Sequence, residues 1–229
     1  HQISITFEIE LYGKWHSGSG EAGFFTDRLV RLDAQQRPYI PASTLRGVAR
    51  EQCERLNRTL ALPDCSDPHT RDSRWHIPKH ELLSPVDHLF GTKYAESSLY
   101  FRDAKMADKP LYPFINVSRT AMYRALGTGR DKHLFQTQYA NPAVLHSQIS
   151  GWHEHLPVFD ELPLAYILLL LGLQSIDRLG GDKSTGKGPC ELKVTEIEYN
   201  SRFWSWEECV AYIEEIFVLW DDYMEAEGL

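Results

Sequence analysis

Apolar and polar residues alternate without a break from Ile3 to Leu11: Ile3, Ile5, Phe7, Ile9 and Leu11 against Ser4, Thr6, Glu8 and Glu10. Successive side chains of a strand point to opposite faces, so this run predicts a strand with one face buried and one in water. Further on the period lengthens. Leu45, Val48, Ala49, Cys53, Leu56 and Leu60 fall on one helical stripe, with Ser43 or Thr44 as the expected N-cap. A loop rich in Gly and Ser, His16 to Thr26, and a short turn at Ala34-Gln-Gln fill the gap between strand and helix.

Residues 62–84 show no period and open an irregular insertion expected to extend over about 62–98. A strand near Leu99–Asp103 follows, then a polar stretch at about 114–134, and a strand Leu134–Tyr139 expected to pair with Val144–Ile149. A buried helix is expected over Glu161–Leu179 and a strand over Glu191–Tyr199. That helix carries the longest apolar run, Leu164–Leu173, about half of what crosses a bilayer, so no membrane partner is expected. Strand–helix–strand occurring twice reads as an α+β, ferredoxin-like (RRM-like) core in one domain, an arrangement also used to bind single-stranded RNA. A C-terminal amphipathic helix, about 206–225, repeats the acid pairs Glu207/Glu208, Glu214/Glu215 and Asp221/Asp222 every seven residues.

The net charge of −8 weighs against a nucleic-acid binder until it is located. Residues 196–229 hold ten acids and one base, a net of −9, so residues 1–195 come to about +1. In the remainder, Arg28, Arg31, Arg37, Arg46, Arg50, Arg55 and Arg58 crowd one segment, and Arg102, Lys105, Lys109, Arg119, Arg124, Arg130 and Lys132 another. Local basic surface is what phosphate binding needs, because salt screens charges beyond about 8 Å. The four cysteines lack CxxC spacing, and no signal peptide opens the chain, so a reduced cytoplasmic protein is expected. Cys65-x3-His69-x6-His76-x3-His80 has ligands suited to a structural Zn²⁺.

Two segments carry most of the functional signal. GGDKSTGKGPCEL, Gly180 to Leu192, has four glycines in nine residues ahead of a strand, and RPYIPASTLRGVAR, Arg37 to Arg50, is a turn entering a helix. A glycine-rich loop lets backbone N–H groups face a phosphate or another chain come close. Gly181 to Lys187 satisfies most of a nucleotide phosphate loop, but Gly188 stands where a Ser or Thr should bind metal, and a strand follows instead of a helix. That reading is rejected.

The two segments resemble the RAMP superfamily, the RNA-binding subunits of CRISPR effector complexes, in its GG-x4-G-x-G loop and its P-x-I-P-G-S-S-L-K-G-x-x-R segment. Ala42 stands where glycine is usual and Arg46 where lysine is common. His88-Leu-Phe-Gly91, Leu99-Tyr-Phe-Arg-Asp-Ala104, and Asn116-Val-Ser-Arg-Thr120 followed by Gly129 and Leu134-Phe135 match further family segments in order, over roughly residues 3–199. The resemblance makes 114–134 an inserted thumb. It implies RNA contact at Ser43, Thr44, Arg46, Arg50, Arg119, Gly181, Lys183, Gly186, Lys187 and Gly188. It also implies crRNA, complementary target RNA and other effector subunits, RAMP-fold neighbours among them, as partners in a prokaryotic cell.

Backbone-type family members that cut target RNA carry their catalytic aspartate in the loop before P-x-I-P. By that resemblance Asp27 is the candidate catalytic and Mg²⁺-binding residue of a metal-dependent endoribonuclease of the type III effector class, while Asp33 reads as a turn residue. A non-catalytic assembly or capping subunit is the alternative. A crRNA-processing endoribonuclease, which commonly needs a histidine, is a third.

Overall fold

The strict alternation of the first segment is realised in β1 (Gln2–Leu11), whose five apolar side chains are buried. The structure is a computed structural model and describes residues 1–66, 83–93, 95–108, 111–123, 125–154, 156, 158–159 and 162–212. β1 pairs antiparallel on both sides, with β5 (Ala143–Trp152) and β8 (Cys190–Tyr199). β2 (Leu99–Phe101) and β9 (Arg202–Trp204) extend the sheet to the order β2-β5-β1-β8-β9, antiparallel throughout.

α1 (Ala42–Thr59) buries Leu45, Val48, Ala49 and Cys53, the predicted stripe, against α3 (Leu164–Gln174), whose Leu- and Ile-rich run is buried almost all round. The helices meet at Gly172, where a Cβ would stand 2.5 Å from Cys53 Sγ, so close packing requires glycine there. α2 (Pro85–Phe90) touches both helices and is capped by Ser84, whose Oγ accepts from Asp87 N–H. This short helix lies inside the stretch expected to be irregular. A small hairpin of β6 (Val158–Phe159) and β7 (Leu162–Pro163) leads into α3. Among the described residues no helix is long and apolar enough to cross a membrane.

Three expectations change. The N-cap of α1 is Pro41, which has no side-chain bond to offer, and Asp103 Oδ1 accepts the Ala42 N–H from outside the helix. α3 ends at Gln174, and Ile176 and Leu179 are buried in the non-helical chain beyond it. The third concerns strand partners. Leu134–Tyr139 belongs to β4 (Thr128–Ala140), which pairs with β3 (Phe114–Tyr123) in a separate two-stranded ribbon, and not with Val144–Ile149. The corner at Asn141 explains the choice: its N–H donates to the Pro113 carbonyl and its Nδ2 to the Tyr112 carbonyl, steering β4 onto β3. The end of the ribbon next to the sheet, Thr137–Ala140, is buried, and its far end around Met122, Tyr123 and Leu126 is exposed.

Among the described residues, the face of the sheet turned away from α1 and α3 is acidic. Glu8, Glu10, Glu191, Glu196 and Glu198 sit on it, with Glu10 directly opposite Glu191. Only Lys193 and His146 oppose them among the paired positions, at Glu8. An RNA backbone laid across this face would meet like charge, so the sheet-face mode of RNA binding does not suit this protein. The C-terminal helix is described from Trp206 to Tyr212, where Cys209 and Tyr212 are buried; the rest of the expected acidic helix lies outside the described residues.

Candidate functional site

Where β1 ends, the chain doubles back through Lys14–Gly18, and this turn meets the start of α1 and the glycine-rich loop before β8. The three segments enclose a cleft of about 190 Å³ lined by His16, Ser17, Gly18, Arg31, Pro41, Ser43, Thr44, Gly180 and Gly181. Because Pro41 cannot cap, the first turn of α1 reaches the cleft with backbone donors. Ala42 N–H goes to Asp103 and Thr44 N–H to the Pro41 carbonyl, which leaves the Ser43 N–H without a partner among the described residues. Such a helix start, with two hydroxyls and the positive end of the dipole, favours an anion.

The loop is held by its own chain. Gly181 N–H donates to the His16 carbonyl at 2.7 Å, Gly188 N–H to the Lys14 carbonyl at 2.9 Å, and Leu179 N–H to the Gly188 carbonyl at 2.8 Å. A Cβ at Gly188 would lie 1.9 Å from the Leu179 oxygen, and one at Gly180 2.5 Å from the His16 oxygen. Those two glycines serve intrachain packing. Gly186, at φ 79° with open space around it, serves the turn itself.

Asp182 anchors the loop to the ribbon. Tyr139 Oη donates to its Oδ2 at 2.5 Å, Arg28 Nη1 donates to both oxygens at 3.1 and 3.2 Å, and Arg119 Nη1 lies 3.8 Å away. Arg119 and Lys187 both hold their charges 5.4 Å from the Tyr139 ring centre. Burial alone would raise the Asp182 pKa, but the Tyr139 and Arg28 bonds and the two arginine charges outweigh it and lower it. Tyr139 moves up, through burial and its bond to that carboxylate, and so remains a donor.

The glycine-rich loop and the helix start that meet here are the two segments that carry the resemblance, and a family model described as the RAMP superfamily matches residues 8–191. The chain belongs to the RAMP superfamily. Among solved structures it is similar in fold to a chain of a "Type III-B Cmr-beta bound to cognate target RNA", determined by cryo-EM, with a TM-score of 0.56 and 13% identity over 83% of this chain and 96% of that one. No curated protein sequence matches it.

Within this RAMP fold the expected residues divide. Ser43, Thr44 and Gly181 line the cleft. Arg119, Lys187 and Lys183 belong to the ribbon and loop beside it. Arg46 and Arg50 do not line the cleft, although i and i+4 spacing put them on one helix face. Arg46 donates to the carbonyls of Phe90 (2.7 Å) and Leu99 (3.3 Å) and stacks over the Phe90 ring, while Arg50 is paired with Glu54 at 2.7 Å and reaches the Gly91 carbonyl. They clamp α2 and β2 onto α1. Asp33 is the turn residue expected, accepting from Gln35 N–H, Arg37 N–H and Arg37 Nε.

Asp27 is exposed where the loop meets the ribbon. Its Oδ2 accepts the Gln136 N–H at 2.7 Å and its own N–H donates to the Gln136 carbonyl, so the residue is stitched to β4. Beside it, Phe24 and Phe25 are 94% and 81% exposed, edge to face at 4.6 Å. No group of three His, Cys, Asp or Glu suited to a metal occurs among the described residues. One carboxylate with an oxygen already bonded to backbone does not make a resident Mg²⁺ site. Of the zinc constellation only Cys65 is described, partly buried with its thiol pushed up by burial; His69, His76 and His80 lie outside the described residues.

His16, Tyr139 and Asp182 were not expected in the site from sequence, and Arg28 and Arg31 only as part of a basic segment. Asp182 carried a signal, as a carboxylate inside an otherwise basic glycine loop. Tyr139 and His16 carried none, since their partners lie 43 and 122 residues away.

Proposed function

We propose that this protein is an RNA-holding subunit of a type III CRISPR effector complex, working in a prokaryotic cytoplasm with crRNA, paired target RNA and RAMP-fold neighbours. The observation that carries this is the cleft, where the open first turn of α1, Arg31 and the loop at Gly180–Gly181 converge at the base of the ribbon. A sugar–phosphate backbone entering there meets N–H groups, hydroxyls and a guanidinium, contacts that give affinity without reading sequence. Phe24 and Phe25 offer ring faces to unstacked bases. The order β1-α1-β2-β5-α3-β8, with the sheet order β2-β5-β1-β8, supports a ferredoxin-like core, and the β3–β4 ribbon supports the thumb. The likeness to a chain of the Cmr complex bound to target RNA adds a fold-level analogy.

Within that role Asp27 cuts the target. A target 2′-oxygen attacks the adjacent phosphorus as Asp27 accepts the 2′-hydroxyl proton, and the P–O5′ bond breaks to give a 2′,3′-cyclic phosphate and a 5′-oxygen that takes its proton from water, with the ribbon fixing the in-line geometry. A binding-only subunit is the second reading, favoured by the Asp27–Gln136 bond, which gives the carboxylate a structural task. Asparagine separates the two, since its amide oxygen can still accept from Gln136 N–H but is no base. The test reconstitutes the assembled complex with guide and complementary RNA, with Mg²⁺ and with EDTA, comparing wild type, Asp27→Asn and Asp27→Ala. Loss of cleavage in Asp27→Asn with assembly intact is the expected result. Cleavage at the wild-type rate in both variants would leave the binding-only reading.

A further inference from the structure

We propose that His16 reads the ribose 2′-hydroxyl and thereby makes the cleft selective for RNA over DNA. The inference rests on the RNA-holding role above and names a chemical requirement within it. His16 is 3% exposed, yet it lines the cleft beside Ser17, Gly18 and Arg31. Its Nδ1 lies 2.8 Å from the Gln138 carbonyl oxygen, which can only accept, so the ring proton resides on Nδ1. Nε2 then carries a lone pair, and no described residue bonds it. A Cβ on Gly18 would come 3.2 Å from that nitrogen, so glycine at this position keeps the approach to Nε2 open.

The ring stays neutral. Burial lowers the His16 pKa, the Arg28 charge lowers it further, and the Gln138 bond and the Asp182 charge oppose without reversing it. Tyr139 meets the ring edge-on at 5.8 Å, and the cleft wall adds the Arg31 cation. A neutral, tautomer-locked imidazole is an acceptor at Nε2. The Ser43 N–H, the Ser43 and Thr44 hydroxyls and the Arg31 guanidinium can donate to phosphate, the hydroxyls being able to accept as well, whereas Nε2 is the one side-chain group of the cleft lining that can only accept. A ligand seated against Nε2 must therefore present a donor to it while its acceptors meet the opposite wall. A ribonucleotide does so, with its phosphate oxygens and its 2′-hydroxyl. A deoxyribonucleotide lacks the donor and would leave a nearly buried Nε2 unsatisfied, which costs more than the bond itself is worth.

The test measures binding of the full chain to a single-stranded RNA and to the DNA of the same sequence, and to RNAs carrying one 2′-deoxy or 2′-O-methyl sugar moved along the strand. Wild type should prefer RNA about tenfold, with the loss concentrated at one sugar position, and the preference should hold when the base sequence is changed. His16→Phe keeps the ring volume and should bind RNA and DNA alike. His16→Gln, which restores an acceptor oxygen, should recover part of the preference, a result that a purely packing role would not give. Thermal melts identify a variant that fails to fold, in which case the sugar scan on wild type decides alone. Equal RNA and DNA binding by wild type overturns the proposal while leaving the RNA-holding role intact. Binding to neither overturns that role itself. A preference that follows base identity would assign Nε2 to a base amine and also overturn the proposal.

Discussion

The Tyr139 hydroxyl donates to Asp182 at 2.5 Å, tying the last buried residues of the ribbon to the glycine-rich loop across 43 positions of sequence. This bond and the Arg28 pair hold the loop against the ribbon base. Tyr139→Phe should cost about 1 kcal/mol, read as a drop of roughly 2–4 °C in melting temperature, and should weaken RNA binding by loosening the loop.

The same carboxylate sets a pH dependence. Asp182 has its pKa lowered on folding, so its contribution is present above the ordinary carboxylate range and is lost as pH falls through the folded value. Wild type should be more stable than Asp182→Asn at pH 7, and the gap should narrow as the pH drops below about 4. Melts over pH 7 to 3 check this; a gap independent of pH would mean that the residue acts by shape and not by charge.

Glycine substitutions in the loop should separate packing from conformation. Gly186→Ala meets open space and pays only for its left-handed backbone, about 1 kcal/mol. Gly188→Ala adds a collision with the Leu179 carbonyl to the same strain and should be several times more costly. Denaturant midpoints of the two variants provide the comparison.

Arg46 and Arg31 should behave oppositely. Arg46→Ala removes two bonds to carbonyls and the stacking over Phe90, a loss of about 2 kcal/mol, while its folded fraction binds RNA as before. Arg31 Nε and Nη2 make longer bonds to the Gly18 and Ser19 carbonyls, 3.3 and 3.4 Å, so Arg31→Ala should lower the melt less than Arg46→Ala does while lowering the salt slope of RNA binding by about one unit. An Arg46→Ala protein of normal stability that has lost RNA affinity would return this residue to the interface.

Phe24 and Phe25 support no core, so replacing both by alanine should not lower stability. If they stack on bases, affinity for single-stranded RNA should fall about tenfold with the salt slope unchanged, because stacking releases no counterions. Fluorescence titrations at two salt concentrations distinguish this from a charge effect.

Periodic burial is a local property, and it was legible in sequence. The alternation of Ile3 to Leu11 defined β1, the stripe from Leu45 to Cys53 defined the inner face of α1, and the glycine pattern before β8 marked the loop that borders the cleft. Each needs only neighbours a few residues away, so the chain determines it by itself. The tasks of the long polar side chains needed tertiary structure. Arg46 and Arg50 share a spacing that suits phosphate, but the carbonyls of Phe90, Gly91 and Leu99 arrive from another part of the chain and take their donors. Whether β4 pairs with β3 or β5 was settled by the Asn141 corner, and the tautomer of His16 by the Gln138 carbonyl. A hydrogen-bonding group has a direction as well as a type. Its direction is fixed by whichever distant backbone reaches it first, and only the folded chain determines that.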